Sequence, residues 1–288
     1  MEKINTQTFR QRLKGYRRSP LSLILFLLVT LSAAITVFVL FFLIAYILIK
    51  GFPHLTPDLF SWTYNSENVS MLPSIINTVL MTLLSLLIAA PLGIFSAIYL
   101  VEYAKRGNKI VKLIRITAET LSGIPSIVYG LFGMLFFVVT LHWSYSILSG
   151  AFTLAIMILP LIIRTTEEAL KSVPDAYREG SFGLGAGRLR TVFRIVLPSA
   201  VPGILAGIIL AIGRIVGETA ALIFTAGTAP VVPKSLFDSA RTLSVHMYNL
   251  SQEGLYVDQA YATAVVLLLV VVAINGLSNF VAKKIAKG

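Results

Sequence analysis

Long apolar runs, broken by short polar intervals, make up most of this chain. A helix needs about 20 residues to cross a hydrocarbon core of about 30 Å. Six runs meet or approach that length: residues 21–49, 74–100, 120–141, 147–163, 200–224 and 260–281. The first far exceeds the apolar stretch of about 7–15 residues in a cleaved signal, so it is read as a retained span. The fourth is the shortest and carries Pro160 near its end. The pattern predicts an all-α integral membrane protein. It divides into a basic amino-terminal segment (1–20), a first span with its outer loop (21–73) and a main transmembrane domain (74–285).

The polar intervals have patterns of their own. The longest on the basic side, 167–198, holds Pro174 with Asp175 and Glu179 close behind, which reads as a helix start. Gly183, Gly185 and Gly187 then permit a sharp turn with positive φ. Leu189, Val192, Phe193 and Val196 mark one face of a second short helix before Pro198 opens the next apolar run. A helix, a turn and a helix between two spans have the shape of a docking element. The plainer alternative is an amphipathic loop helix lying on the membrane surface. In the interval 225–259, Leu236, Ala240, Leu243, Met247 and Leu250 recur at helical spacing. They predict an amphipathic helix that faces either the outer leaflet or an external partner.

Composition removes the soluble alternative. With 56% hydrophobic residues, 13% charged residues and a mean hydropathy of +0.84, the chain cannot cover a water-soluble globule with polar surface. The net charge of +11 would point to nucleic acid in a soluble protein. Here the basic residues are split among short segments, so no nucleic-acid partner is expected. Of 24 Lys and Arg, twenty fall on the side that holds both termini and the 167–198 loop. Lys50, Lys234 and Arg241 fall on the other side, and Arg214 lies within a span. The positive-inside rule then places both termini and that loop in the cytoplasm, where the charges also favour anionic lipid.

Few residues are candidates for chemistry. The absence of Cys excludes disulfides, thiolate metal sites and thiol nucleophiles. The Gly183–Gly185–Gly187 spacing follows no strand and lacks the G-K-[ST] ending of a phosphate loop. His246 stands without a carboxylate–histidine cluster and is read as a surface or interface residue. No metal site and no catalysis are expected.

Arg214, Glu218 and Thr219 lie in the fifth run, the first two at i,i+4 on one predicted helix face. Arg214 lies roughly 24 Å along from Pro198, deep enough that its charge must face the bundle interior or a watered cavity. It either pairs with Glu218 to fix packing or lines a path for an anion, which a guanidinium suits because it offers two parallel donors. Gly207, Gly213 and Gly217 leave room for another helix. In the third run, Pro125 frees a backbone carbonyl that needs another partner. Ser122, Ser126 and Tyr129 put hydroxyls along nearly one face there, lining either a pathway or a kinked packing helix. Asn77, Thr78, Thr82 and Ser85 in the second run are read as helix–helix contacts.

Two sets of residues carry a family resemblance. Glu179, Gly185, Ile195, Leu197 and Pro198 keep the spacing of the "EAA" loop (E-A-A-x3-G-x9-I-x-L-P), with Gly180 and Ser181 in place of the two alanines. The chain therefore resembles ABC-importer permeases. Residues 122–133, 217–227 and 241–246, with Tyr261-Ala262-Thr263-Ala264, resemble the phosphate-specific members of the PstA type. The resemblance covers roughly 74–285. It implies a six-helix type I importer (MetI-like) fold in a prokaryotic cell membrane and a coupling loop at 167–198. It also implies a PstC-type second permease, two PstB-type ATPase subunits and an external PstS-type phosphate-binding protein. ATP and Mg would sit on the ATPase, leaving no cofactor in this chain. By the same resemblance Arg214 and Glu218 lie on the transport path. The rivals are a permease for phosphonate, sulfate or molybdate, and a secondary phosphate transporter or channel that needs no ATPase. Secondary carriers often show inverted repeats, and this sequence shows none.

Overall fold

Leucine, isoleucine, valine and phenylalanine on every side of a helix leave it no polar face, and the first element has that character. The computed structural model describes residues 20–105 and 107–285. The basic amino terminus before Pro20, Arg106 and Lys287, which enter the charge partition above, lie outside the described residues. Two compact units divide after Lys50. In the first, α1 (Pro20–Gly51) opens on a proline, which suits a first turn, and exposes its side chains along almost its whole length. The hydroxyls of Thr30 and Thr36 donate to the carbonyls of Phe26 and Ser32 at 2.7 and 2.9 Å, so neither stays unpaired on an apolar surface.

The second unit is built around α5 (Ile147–Lys171). Its start is capped by Ser146, whose Oγ accepts from the Ser149 N–H at 3.2 Å. Leu154, Ile158 and Ile162 of α5 are wholly buried against Met81 and Ala89 of α2 (Leu72–Ile98), Ile215 of α8 (Leu197–Val216) and Leu222. Close approach depends on small residues. A Cβ on Gly203 would meet that of Ala169 at 2.7 Å, and Gly207 lies against Thr165. Gly213, read as leaving room for a helix, has nothing within 4 Å. The fourth run extends beyond its expected end at 163 to Lys171, with Pro160 inside the helix. Arg164–Glu168 and Glu167–Lys171 pairs one turn apart, at 3.1 and 2.6 Å, support the added turns.

The third run departs most from expectation. Instead of one helix over 120–141, α3 (Lys109–Ser122) and α4 (Ser126–Gly133, continued by a π-helical stretch Met134–Thr140) meet at 103°. Pro125 cannot donate to Leu121, and the chain turns rather than kinks. Asn108 caps α3 through Oδ1, which accepts from Ile110 N at 2.9 Å.

The fifth run also differs. Helix runs without interruption from α7 (Arg188–Thr191) through a π-helical turn (Val192–Val196) and α8 as far as Val216, not Phe224. A separate four-residue helix, α9 (Ala220–Ile223), follows. On the side opposite the 167–198 loop, the expected amphipathic helix is helical only from Leu243, in α10 (Leu243–Glu253). Leu236 and Ala240 lie in irregular chain that hydrogen-bonds to neighbouring segments. The last span is α11 (Val257–Ile285). Among the described residues five helices are long and apolar enough to cross a membrane, or six if the bent α3–α4 pair is one broken span.

Candidate functional site

The 167–198 loop folds as helix, turn and helix. Pro174 precedes α6 (Asp175–Gly183), and the chain then reverses at Gly185, whose φ of +83° only glycine adopts without strain. Gly183 and Gly187 have ordinary backbone angles, so of the three glycines one makes the turn. Ser181 and Thr191 share a buried hydroxyl–hydroxyl bond of 2.8 Å that ties α6 to α7 across the turn. Ser181 is one of the two departures from the motif. Glu179 is exposed, Leu184 at the tip is 91% exposed, and Tyr177, Phe182, Leu189 and Phe193 are exposed beside it. Ile195 lies in the π-helical turn, partly buried. Leu197 and Pro198 begin α8, Leu197 partly buried and Pro198 exposed. Apolar tips outside the spans are a surface that water does not stabilise.

What holds this loop was not legible beforehand. The Arg178 side chain, 14% exposed, places Nη2 and Nε at 2.7 and 3.1 Å from Glu102 Oε1, in the π-helical turn (Tyr99–Tyr103) that ends the second span. It also donates to the carbonyls of Leu170 and Val173 and to Asp175 Oδ1. One guanidinium thus joins α6 to the ends of two spans.

The predicted path residues gather where helices break. Tyr129 is buried in α4, and its hydroxyl donates to the Leu121 carbonyl at 2.8 Å across the α3–α4 bend. That carbonyl is the one a donor at position 125 would have served; it accepts instead from Ile124 N at 3.1 Å and from Tyr129, so the hydroxyl read as a path lining also ties α4 back to α3. Ser122 belongs to α3 and donates to Ala118 O at 3.1 Å, while Ser126 begins α4. The bend therefore separates Ser122 from the shared face expected with Ser126 and Tyr129. Against α4 packs α9: a Cβ on Gly130 would meet Ala221 Cα at 2.8 Å.

Arg214 and Glu218 do not share a helix face, because α8 ends at Val216 and Gly217 caps it. Among the described residues no ion pair joins them. Glu218 is buried beyond the helix end, where Oε1 accepts from Ala221 N at 3.1 Å and its carbonyl accepts from Ser244 Oγ at 2.6 Å. Thr219 is the cap residue of α9. Arg214 is partly exposed and lies within electrostatic range of Tyr129. Two interrupted helices, one carboxylate and one guanidinium thus meet in one region.

A further cluster escaped the sequence reading. His246 is 0% exposed, not a surface residue, and its ring meets Tyr64 edge-on at 6.2 Å. Arg241, 4% exposed, lies over the same Tyr64 ring at 4.5 Å. Burial lowers the His246 pKa to about 3, with the Arg241 charge adding to the effect and the Val69 backbone opposing it. Burial also lowers the Arg241 pKa, opposed by Tyr64 and Glu253. Asn77 and Thr78, read as helix–helix contacts, instead hold this loop. Asn77 Nδ2 donates to the Val231 and Arg241 carbonyls, and Thr78 Oγ1 accepts from Leu243 N at 2.8 Å. Thr82 and Ser85 donate to their own helix.

Comparison with known proteins agrees with this architecture. Residues 89–287 match the family described as binding-protein-dependent transport system inner membrane component. The chain is 38% identical over 244 residues to a probable ABC transporter permease, YqgI, of Bacillus subtilis, covering 79% of this chain and 82% of that protein. It is 42% identical over 205 residues to the phosphate transport system permease PstA of Pasteurella multocida, covering 69% and 72%. It is 35% identical to PstA 1 of Mycobacterium tuberculosis strain H37Rv over 65% of this chain and 61% of that protein, under two thirds of its length. Among solved structures, a bacterial ABC transporter importing the acidic polysaccharide alginate superposes with a TM-score of 0.63 at 19% identity, covering 95% of this chain and 99% of that one. The MetNI methionine transporter gives 0.58 at 18% identity, covering 75% and 94%. At those identities the likeness is one of fold, the importer-permease fold expected from the motif. The chain therefore belongs to the family of inner membrane components of binding-protein-dependent transport systems, the permeases of ABC importers.

Proposed function

We propose that this permease moves inorganic phosphate into the cell, paired with a second permease subunit and driven by two copies of a separate ATPase docked on the 167–198 loop. An external phosphate-binding protein delivers the solute. The observation that carries the reading is the partly exposed guanidinium of Arg214 in the last turn of α8, within electrostatic range of Tyr129 at the α3–α4 break. Irregular backbone at membrane depth is tolerated where it is buried or lines a watered cavity, and an arginine there suits a tetrahedral oxyanion. Relatives named as phosphate permeases support the solute, and the exposed apolar tips of the loop support the ATPase contact. The chain carries solute, and hydrolysis belongs to its partner.

The test is phosphate uptake and phosphate-stimulated ATPase activity in the assembled transporter. Arg214→Gln is expected to lower uptake about tenfold or more, a barrier change of about 1.4 kcal/mol. Its partners should still co-purify, and Arg214→Lys should restore part of the rate. Near-normal uptake by Arg214→Gln would remove this residue from the path. Uptake inhibited by sulfate or molybdate more strongly than by phosphate would reassign the solute.

A further inference from the structure

Below the α3–α4 bend, on the side of the 167–198 loop, the chain encloses a cleft of about 800 Å3. Its walls come from the π-helical end of the second span, the start of α3, the end of α5, and α6. Six basic side chains line it: Lys105, Lys112, Arg115, Lys171, Arg178 and Arg188. Two carboxylates of the lining, and Glu167 behind it, answer them. Glu102 and Asp175 pair with Arg178, and Glu167 pairs with both Arg115 and Lys171, at 2.7 and 2.6 Å. Arg188 stacks over the Tyr103 ring at 5.8 Å. Lys105 and Lys112 have no ion pair among the described residues. The cleft therefore holds an excess of three positive charges, and a concave basic site of this kind concentrates anions.

The surroundings say which anion. α3 turns Val111, Lys112 and Arg115 to the cleft, and its other side exposes Ile110, Leu113 and Ile116. Because α3 meets α4 at 103°, it lies across the direction of the arm that α4 begins. A helix with one basic and one apolar face in that attitude sits in the interface between headgroups and acyl chains. Phe95 and Tyr99 of the neighbouring span are exposed as well.

We propose that this cleft binds the phosphate group of an anionic phospholipid, with the acyl chains running along the exposed Phe95 and Tyr99 of the second span, whose end lines the cleft. Free phosphate has the same headgroup chemistry, but it would gain nothing from that apolar flank. The assignment rests on membership of a membrane family and not on which solute is transported.

The experiment uses the transporter assembled with its partner subunits, exchanged into phosphatidylcholine nanodiscs containing phosphatidylglycerol. Retained phosphatidylglycerol is counted by native mass spectrometry. A surface lysine contributes about fivefold to anionic-lipid affinity, so Lys105→Gln with Lys112→Gln should lower retention roughly twenty-fivefold. Lys105→Arg with Lys112→Arg should keep it, as should the control pair Lys50→Gln with Lys234→Gln. Retention by the double glutamine variant within about twofold of wild type would overturn the proposal. So would displacement of the lipid by excess inorganic phosphate, which would make this a soluble-anion site. Loss of the ATPase with lipid retention unchanged would assign the cleft to protein docking and also overturn it.

Discussion

Replacing Arg178 by alanine should release α6 from the spans it is tied to. Its side chain and that of Glu102 are both largely buried, and removing one partner leaves the other uncompensated at a cost of about 3 kcal/mol. The expected result is a lower Tm and loss of the co-purifying ATPase. Arg178→Lys should rescue little, because an ammonium cannot serve Glu102 and two backbone carbonyls at once. His246 sets a pH dependence whose sign is fixed by burial. With a folded pKa of about 3, the unfolded chain takes up the proton first as pH falls below about 6.5. Stability is therefore complete above that pH and falls by about 1.4 kcal/mol per unit below it. Thermal unfolding between pH 7 and pH 4.5 should show this slope, and His246→Phe should flatten it. Neither residue announced its role. Arg178 and Glu102 lie 76 positions apart, and the Asn77 bond to the Arg241 carbonyl spans 164, so no local pattern links them. Arg214 was conspicuous because a charge inside an apolar run is costly wherever its partners lie.

At the level of elements, breaks were harder to place than helices. Hydrophobic runs locate spans because lipid demands them, but where a run bends depends on whether a freed carbonyl finds a new donor. The Leu121 carbonyl finds the Ile124 N–H and the Tyr129 hydroxyl, and the third run becomes two helices. Gly217, one of three glycines read as packing residues, instead ends α8 and separates Arg214 from Glu218. The turn at Gly185 was legible, since a positive φ narrows the choice of residue. Gly185→Val should cost about 1–2 kcal/mol of backbone strain alone, because nothing lies within 4 Å of its Cβ position. That loosens the α6–α7 turn and should uncouple ATP hydrolysis from uptake while the chain stays in the membrane. Gly130→Val acts by sterics instead. Its Cβ would overlap Ala221 backbone, so α4 and α9 should separate, with lowered Tm and uptake. Normal uptake by Gly130→Val would show that this contact is dispensable.

For the whole molecule, the proposed topology is open to a direct check, because the chain has no native cysteine to remove. Cysteines placed at Asn65 and Asn249 should react with an impermeant reagent added outside. Those at Asn108 and Arg188 should react only after the membrane is breached. External labelling at Arg188 would invert the proposed orientation, and the docking assignment with it. The helix from Arg188 to Val216 runs 29 residues without a break, so the end of the 167–198 loop and Arg214 belong to one connecting rod roughly 43 Å long. A swing of about 10° at one end carries the other through about 7 Å, less what is taken up by bending at the π-helical turn Val192–Val196 and at Pro202. A rod also keeps its two ends in phase. One alanine inserted after Ala206 would lengthen it by about 1.5 Å and turn Arg214 through about 100° relative to the loop. Such a transporter should still hold its ATPase and burn ATP, with the guanidinium turned away from the passage proposed for it.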